Sequence, residues 1–208
     1  MVNLKVKRNP QKTRADLLQA GVELFSECGY DGVSVDQIVA AAGVNKRMLY
    51  HYYGSKDGLY VEVLRTVFGR LEVLESETLD HPAGTEEALR NVLASYFGFL
   101  QEQPQFVSLL MWENLNRGKF LDAHPDLLSK SPVLQRLRKI VERAKQAGEM
   151  AQTVDARHLL VVLYGMCFFY HSNRFTLKHT VGLNFMKQSV FNEGMRFTQE
   201  VLLRGLLQ

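Results

Sequence analysis

The chain has 208 residues, 46% of them hydrophobic and 23% charged, with five prolines, two cysteines and a formal net charge of +3. That balance excludes a collagen-like repeat, a disordered tail, a Pro-rich linker protein and a disulfide-stapled scaffold, and its small charge announces no nucleic-acid partner by itself. The longest uncharged apolar run, Leu159 to Tyr170, falls short of the about 20 residues that a membrane-spanning helix needs, so no membrane partner is expected.

Read from the N-terminus, Met1-Val2-Asn3-Leu4-Lys5 lacks the apolar stretch that follows the basic residues of a secretory signal, and a cytoplasmic protein with reduced thiols is expected. Lys5, Lys7, Arg8, Lys12 and Arg14 all precede the first acidic residue, Asp16. Such an arm can lie along phosphates or be a solvated terminus, and charge alone does not choose between them.

Hairpin signals are nearly absent, and three- and four-residue apolar spacing runs through the whole chain, which predicts an all-α protein. A first helix enters near Asn9-Pro10, carries Leu17, Leu18, Gly21, Val22, Leu24, Phe25 and Cys28 as one stripe, and stops at Gly29. Cys28 reads as a small core residue of that stripe. Ser34-Val35-Asp36-Gln37 has the capping-box pattern and opens a short helix that ends at Gly43, while Asn45 caps a third through about Tyr53. Ser55 caps a fourth, with Val61, Leu64, Phe68, Leu71 and Leu74 as its apolar face. After a break at His81-Pro82-Ala83-Gly84, helices are expected over roughly 86–102, 104–117, 132–148, 155–174 and 181–207, about nine in all, with room for one turn between Pro125 and Pro132.

The second and third helices, joined by Ala41-Ala42-Gly43-Val44, have the proportions of a helix-turn-helix. Gly43 takes the positive φ of the turn, small Ala40 to Ala42 allow close approach, and Ile38, Val44 and Leu49 fill the angle. Lys46, Arg47, Tyr50 and His51 share one face of the third helix, with Leu49 and Tyr53 opposite. That face suits a major groove, and a solvated helix surface is its ordinary alternative.

The stretch from Thr13 to Tyr60 closely resembles the DNA-binding domain of TetR-family transcriptional regulators. The shared pieces are Leu24-Phe25, Gly29-Tyr30, Val33-Ser34-Val35, Ile38, Ala42-Gly43-Val44, Leu49-Tyr50, Tyr52 and Ser55-Lys56-Asp57 with Leu59. Val39 stands where the family usually has Ala, and Tyr53 where Phe is usual; both keep an apolar contact. The resemblance implies residues 1–58 as a three-helix DNA-binding domain with a basic arm. A linking helix joins it to residues 59–208, a helical ligand-binding and dimerisation domain. Lys46 and Arg47 are then candidates for base edges, and the bulk of Lys46-Arg47-Met48 bears on which bases are read. Tyr50, His51 and Tyr52 are candidates for phosphate contact. So are Lys56, at a helix N-terminus, and Ser34, whose capping duty alone would also explain it. His51 has no second ligand or nucleophile at suitable spacing, so a metal or catalytic role is disfavoured.

In the remainder, Leu159–Tyr170 is apolar all round and is expected to be buried on every side. Leu183, Met186, Val190, Gly194, Phe197 and Val201 form a stripe on the last helix, with Gly194 permitting close approach. The last two helices are expected to pair with their copies in a homodimer, as a reader of palindromic double-stranded DNA requires. Phe97, Phe106, Leu110, Trp112, Tyr164 and Phe168, with Glu113, Asn116 and His171 as polar groups, are candidates to line a small-molecule pocket, although each aromatic could equally pack the core. Cys167 and His171 at i and i+4 make too few ligands for a metal site. Arg136, Arg138, Lys139, Arg143 and Lys145 read as a solvated basic face. No catalytic residue, cofactor or metal is expected. The sequence therefore points to a homodimeric repressor released from its operator by an effector; the rivals are a helical protein-interaction adaptor and a small-molecule-binding enzyme without a recognisable motif.

Overall fold

A computed structural model describes residues 9–79, 84–128 and 131–207. Among them are eleven α-helices: α1 (Pro10–Cys28), α2 (Val35–Ala41), α3 (Lys46–Tyr53), α4 (Lys56–Leu79), α5 (Thr85–Glu102), α6 (Pro104–Leu115), α7 (Lys119–Ala123), α8 (Ser131–Gln146), α9 (Ala156–Ser172), α10 (Arg174–Thr180) and α11 (Gln188–Leu206). One 3-10 turn spans Pro125–Leu128. Lys5, Lys7 and Arg8 of the basic arm, and His81-Pro82-Ala83 of the expected break, lie outside the described residues.

Local chemistry sets the first boundaries. Asn9 Oδ1 accepts from the Gln11 N–H at 3.0 Å ahead of Pro10, and Gly29, at φ +70°, ends α1. Ser34 closes the capping box with Gln37 on α2, and Asn45 Oδ1 accepts from Arg47 N at 2.8 Å on α3. Ser55 Oγ accepts from Gly58 N at 3.0 Å in the first turn of α4. Each device satisfies an N–H group that a helix start leaves orphaned. Cys28, placed in the core by its spacing from Phe25, is exposed instead. It is the last residue of α1, where the chain already turns away at Gly29.

The chain divides into two compact units, and the division does not follow residue 58. The first unit runs to Phe68 and takes in Ser108–Leu127; the second comprises Gly69–Val107 and the chain from Leu128 onward. In the first, α1, α2 and α3 pack around Leu17, Phe25, Ile38 and Leu49, all fully buried. In the second, α5 packs against α8, α9 and α11, and Phe97 sits among the rings of Tyr170, His171 and Phe191 at 4.8–5.6 Å.

Two expectations for the last helices change. α9 is buried along one face only, at Leu159, Leu163, Cys167 and His171, while Val161, Val162 and Phe169 are 68%, 43% and 56% exposed. The expected single helix over 181–207 starts at Gln188 instead, because Val181 ends α10 and Gly182 takes a φ of +72°. Leu183 and Met186 therefore precede α11, and Gly194 is buried within this chain, where an added Cβ would lie 2.9 Å from the Phe185 ring. Phe197 and Val201 remain exposed.

Candidate nucleic-acid interface

The turn between α2 and α3 is held by its own backbone. Gly43 N donates to Ala40 O at 3.1 Å and Val44 N to Val39 O at 3.0 Å, with Gly43 at φ +62°. A side chain at that φ would be strained, so glycine lets the turn close tightly. Leu49 and Tyr53 bury the inner face of α3, and the Tyr53 hydroxyl donates to Arg14 O at 2.7 Å, tying α3 to α1.

With its inner face fixed, α3 turns Lys46, Arg47, Tyr50 and His51 outward, all exposed. Met48 and Tyr52 are half-buried, and the Tyr52 ring stands edge-on to His51 at 4.8 Å. Lys46 Nζ lies 2.9 Å from Asp36 Oδ1; that hydrogen bond and the carboxylate charge raise the pKa of the ammonium. Both partners are exposed, so another anion can compete for Lys46 at little cost. Arg47 extends beside it on the same turn. Ser34 is exposed at the start of α2, its hydroxyl engaged with Gln37. Lys56 Nζ sits 4.0 Å over the Tyr30 ring, a cation–π contact that places the ammonium at the first turn of α4. The Tyr30 hydroxyl donates to Asp57, and burial, followed by that carboxylate, pushes its pKa up to about 12.

The first unit also holds a buried polar and aromatic cluster that the sequence did not announce. Trp112 lies against Gly29, where an added Cβ would come within 2.8 Å of the indole, and its Nε1 donates to Ser26 O at 3.3 Å. Glu113 is fully buried; its Oε1 accepts from the Tyr60 hydroxyl at 2.9 Å and its Oε2 from Phe120 N at 3.3 Å. Burial raises the Tyr60 pKa, and the Glu113 charge adds to it. Around this pair the rings of Phe25, Tyr30, Tyr60 and Phe120 meet edge-on or tilted at 4.7–5.2 Å. Arg65 bonds Asp126 at 2.9 Å at the margin.

Residues 17–63 match the family described as bacterial regulatory proteins, tetR family, and residues 86–202, more than half of the chain, match the tetracyclin repressor-like C-terminal domain. The chain belongs to the TetR family. It is 30% identical to the HTH-type transcriptional repressor NicS of Pseudomonas putida over 94% of this chain and 92% of NicS. The repressor SCO4008 of Streptomyces coelicolor is 27% identical over 76% of this chain and 78% of its own. Among solved structures, the transcriptional regulator FadR from Bacillus subtilis, in complex with stearoyl-CoA, is similar with a TM-score of 0.68 and 20% identity over 92% of this chain and 98% of FadR. At that identity the likeness concerns the fold. This TetR-family protein is a DNA-binding transcriptional regulator and not an enzyme.

The regulator's candidate pocket residues are divided between the two units. Leu110, Trp112, Glu113 and Asn116 lie in the first unit, and Trp112 and Glu113 are committed to the cluster just described. Phe97 and Phe106, each 1% exposed, are core residues of the second unit, where His171 is buried and Phe168 half-buried. Tyr164 lines a cavity, with Glu75, Ser95 and Tyr96 among its neighbours. Glu75 was missed because a glutamate between Leu74 and Ser76 reads as a solvent position; it is 8% exposed. Cys167 and His171 gain no third ligand, for among the described residues no group of three metal-binding side chains occurs. Likewise, no described helix is long and apolar enough to cross a membrane.

Proposed function

We propose that the protein is a homodimeric, cytoplasmic repressor that binds a palindromic operator and leaves it when a small-molecule effector occupies the second unit. The observation that carries the reading is the exposed Lys46–Arg47–Tyr50–His51 face of α3, anchored from behind by buried Leu49 and Tyr53. Lys46 and Arg47 read base edges, with Met48 filling beside them. Tyr50, His51, Tyr52, Ser34 and Lys56 hold phosphates and fix register.

Twofold operators call for two reading heads roughly 34–36 Å apart. Val161, Val162 and Phe169 on α9, with Phe197 and Val201 on α11, leave apolar surface that a second copy would cover. That a protein of similar fold was solved with stearoyl-CoA supports a ligand role for the helical unit. Effector and operator then oppose each other by the same factor, since coupling is reciprocal.

Selection from a random DNA library tests the reading, followed by salt titrations of variants on the selected and a scrambled duplex. Arg47→Ala is expected to relax base preference, costing about 1–3 kcal/mol on the selected site. Lys56→Ala is expected to weaken both duplexes alike and to lower the salt slope by about 1. Equal losses of both kinds in both variants, or a single copy per particle on the duplex, would remove the assignment.

A further inference from the structure

Within the second unit, α10 is seven residues long, no side chain caps its start, and none of its residues is buried. A helix so short is marginal in water and depends on packing to hold its shape. Phe175 on α10 is 66% exposed, and Val181 and Met186 beyond it are exposed as well. From Arg174 to Lys187 the chain carries three permanent cations, Arg174, Lys178 and Lys187, and no acid. The same unit holds a groove of about 290 Å³ along α11. Its aromatic wall is Tyr170, Phe185 and Phe197; the first two rings meet edge-on at 4.8 Å, and the third is exposed. Glu193, Arg196 and Glu200 also line it, two acids against one base, and none of the three has an ion pair among the described residues. Phe175 does not line the groove of its own chain.

We propose that two copies of the chain exchange α10: Phe175 of each enters the α11 groove of the other, and Lys178 reaches that groove's acids. The proposal rests on the homodimeric reading given above and adds which segment crosses and what receives it. A ring set among three others takes apolar surface out of water and gains edge-on contacts. Phe175 and Lys178 are three residues apart, so they share a face of α10 and arrive together. A segment of cations without an acid complements a groove in which acids outnumber the base. Phe197 lines the groove and also belongs, with Val201, to the exposed apolar surface that a second copy covers in that reading, so the exchange continues that surface. Twofold symmetry makes the contact reciprocal, each copy giving one α10 and receiving one. Each α10 thereby acquires the packing that its own chain withholds.

The test is partner choice between two charge variants of the full chain, Lys178→Glu and the double variant Glu193→Lys/Glu200→Lys. They are co-expressed with different tags and their dimers counted by native mass spectrometry. Either homodimer sets like charges together at both exchanged contacts, whereas both contacts of the mixed dimer are complementary. About 90% mixed dimer is expected, where indifferent pairing gives about 50%. A mixed fraction no higher than the indifferent one would overturn the proposal. Should either variant fail to fold by circular dichroism, amide hydrogen exchange of the wild-type dimer decides: α10 is expected to be protected, and exchange at the rate of an open chain would overturn the proposal. A wild-type chain that stays a single copy removes the homodimeric reading together with this inference, whereas a dimer whose variants pair at random loses this inference alone. A mixed-dimer preference in a chain that selects no DNA loses only the repressor reading.

Discussion

Each unit buries a glutamate against a tyrosine hydroxyl, and the two pairs are built for different ends. In the first unit Glu113 is wholly enclosed, with Tyr60 on one oxygen and Phe120 N on the other, beneath a cluster of four rings. In the second, Glu75 meets Tyr164 at the wall of a cavity. Among the described residues, moreover, the two buried side-chain atoms without a hydrogen-bond partner, His171 Nε2 and Thr198 Oγ1, both belong to the second unit. Buried polar groups that are saturated specify one arrangement, whereas unsatisfied ones leave room for another. A surface that reads DNA gains from the former, and the proposed response of the second unit to a ligand from the latter.

The largest effect that would break this comparison is expected at Glu113. Glu113→Ala strands the Tyr60 hydroxyl and Phe120 N in the core and is expected to cost about 3 kcal/mol, a Tm lower by roughly 6–12 °C in a thermal melt. A loss below about 0.5 kcal/mol would show that the buried cluster of the first unit is not held by this carboxylate. Next come the two hydroxyl deletions, which isolate the contrast. Tyr60→Phe removes a donor from an enclosed carboxylate and is expected to cost about 2 kcal/mol. Tyr164→Phe is expected to cost about 1 kcal/mol or less, because the vacated space joins the cavity and admits a water to Glu75. Denaturant midpoints measured side by side check the ranking, and equal costs would dissolve the distinction between the units.

How much of this was legible in the sequence follows the range of the interactions involved. Asn9-Pro10, Ser34 with Gln37, Asn45 and Gly43 act within four residues of themselves, so α1 to α3 and the turn between them could be placed with their caps. The polar face of α3 was legible for the same reason: Lys46, Arg47, Tyr50 and His51 follow helical spacing around Leu49. The Glu113 cluster was not, because Glu113 finds Tyr60 across 53 positions of chain and nothing local marks a glutamate for burial. Glu75 and Tyr164 are 89 positions apart and were missed as a pair for that reason. α9 shows the opposite error. A helix apolar all round was read as buried all round, but in one chain Leu163 and Cys167 face the core while Val161 and Phe169 do not. Composition does not record which face of an apolar helix the fold buries.

The smallest effect at neutral pH, and the one that sharpens the contrast most selectively, concerns His171. Its ring is enclosed by Phe97 from α5 and Phe191 from α11, with Arg174 as the charged neighbour on its own side of the fold. Burial, then the Arg174 charge, lowers its pKa from 6.5 to about 4. The unfolded chain thus binds this proton more readily than the folded one, and the neutral ring's contribution to stability is fully present above about pH 6.5. It is lost progressively as the pH falls from about 6.5 toward about 4. Urea midpoints of the wild-type chain should fall between pH 7 and pH 5 more steeply than those of His171→Phe, which keeps the aromatic packing and removes the titrating group. Parallel curves for the two chains would mean that the ring is already protonated in the fold or hydrated in solution, and the looseness assigned to the second unit would lose its clearest sign.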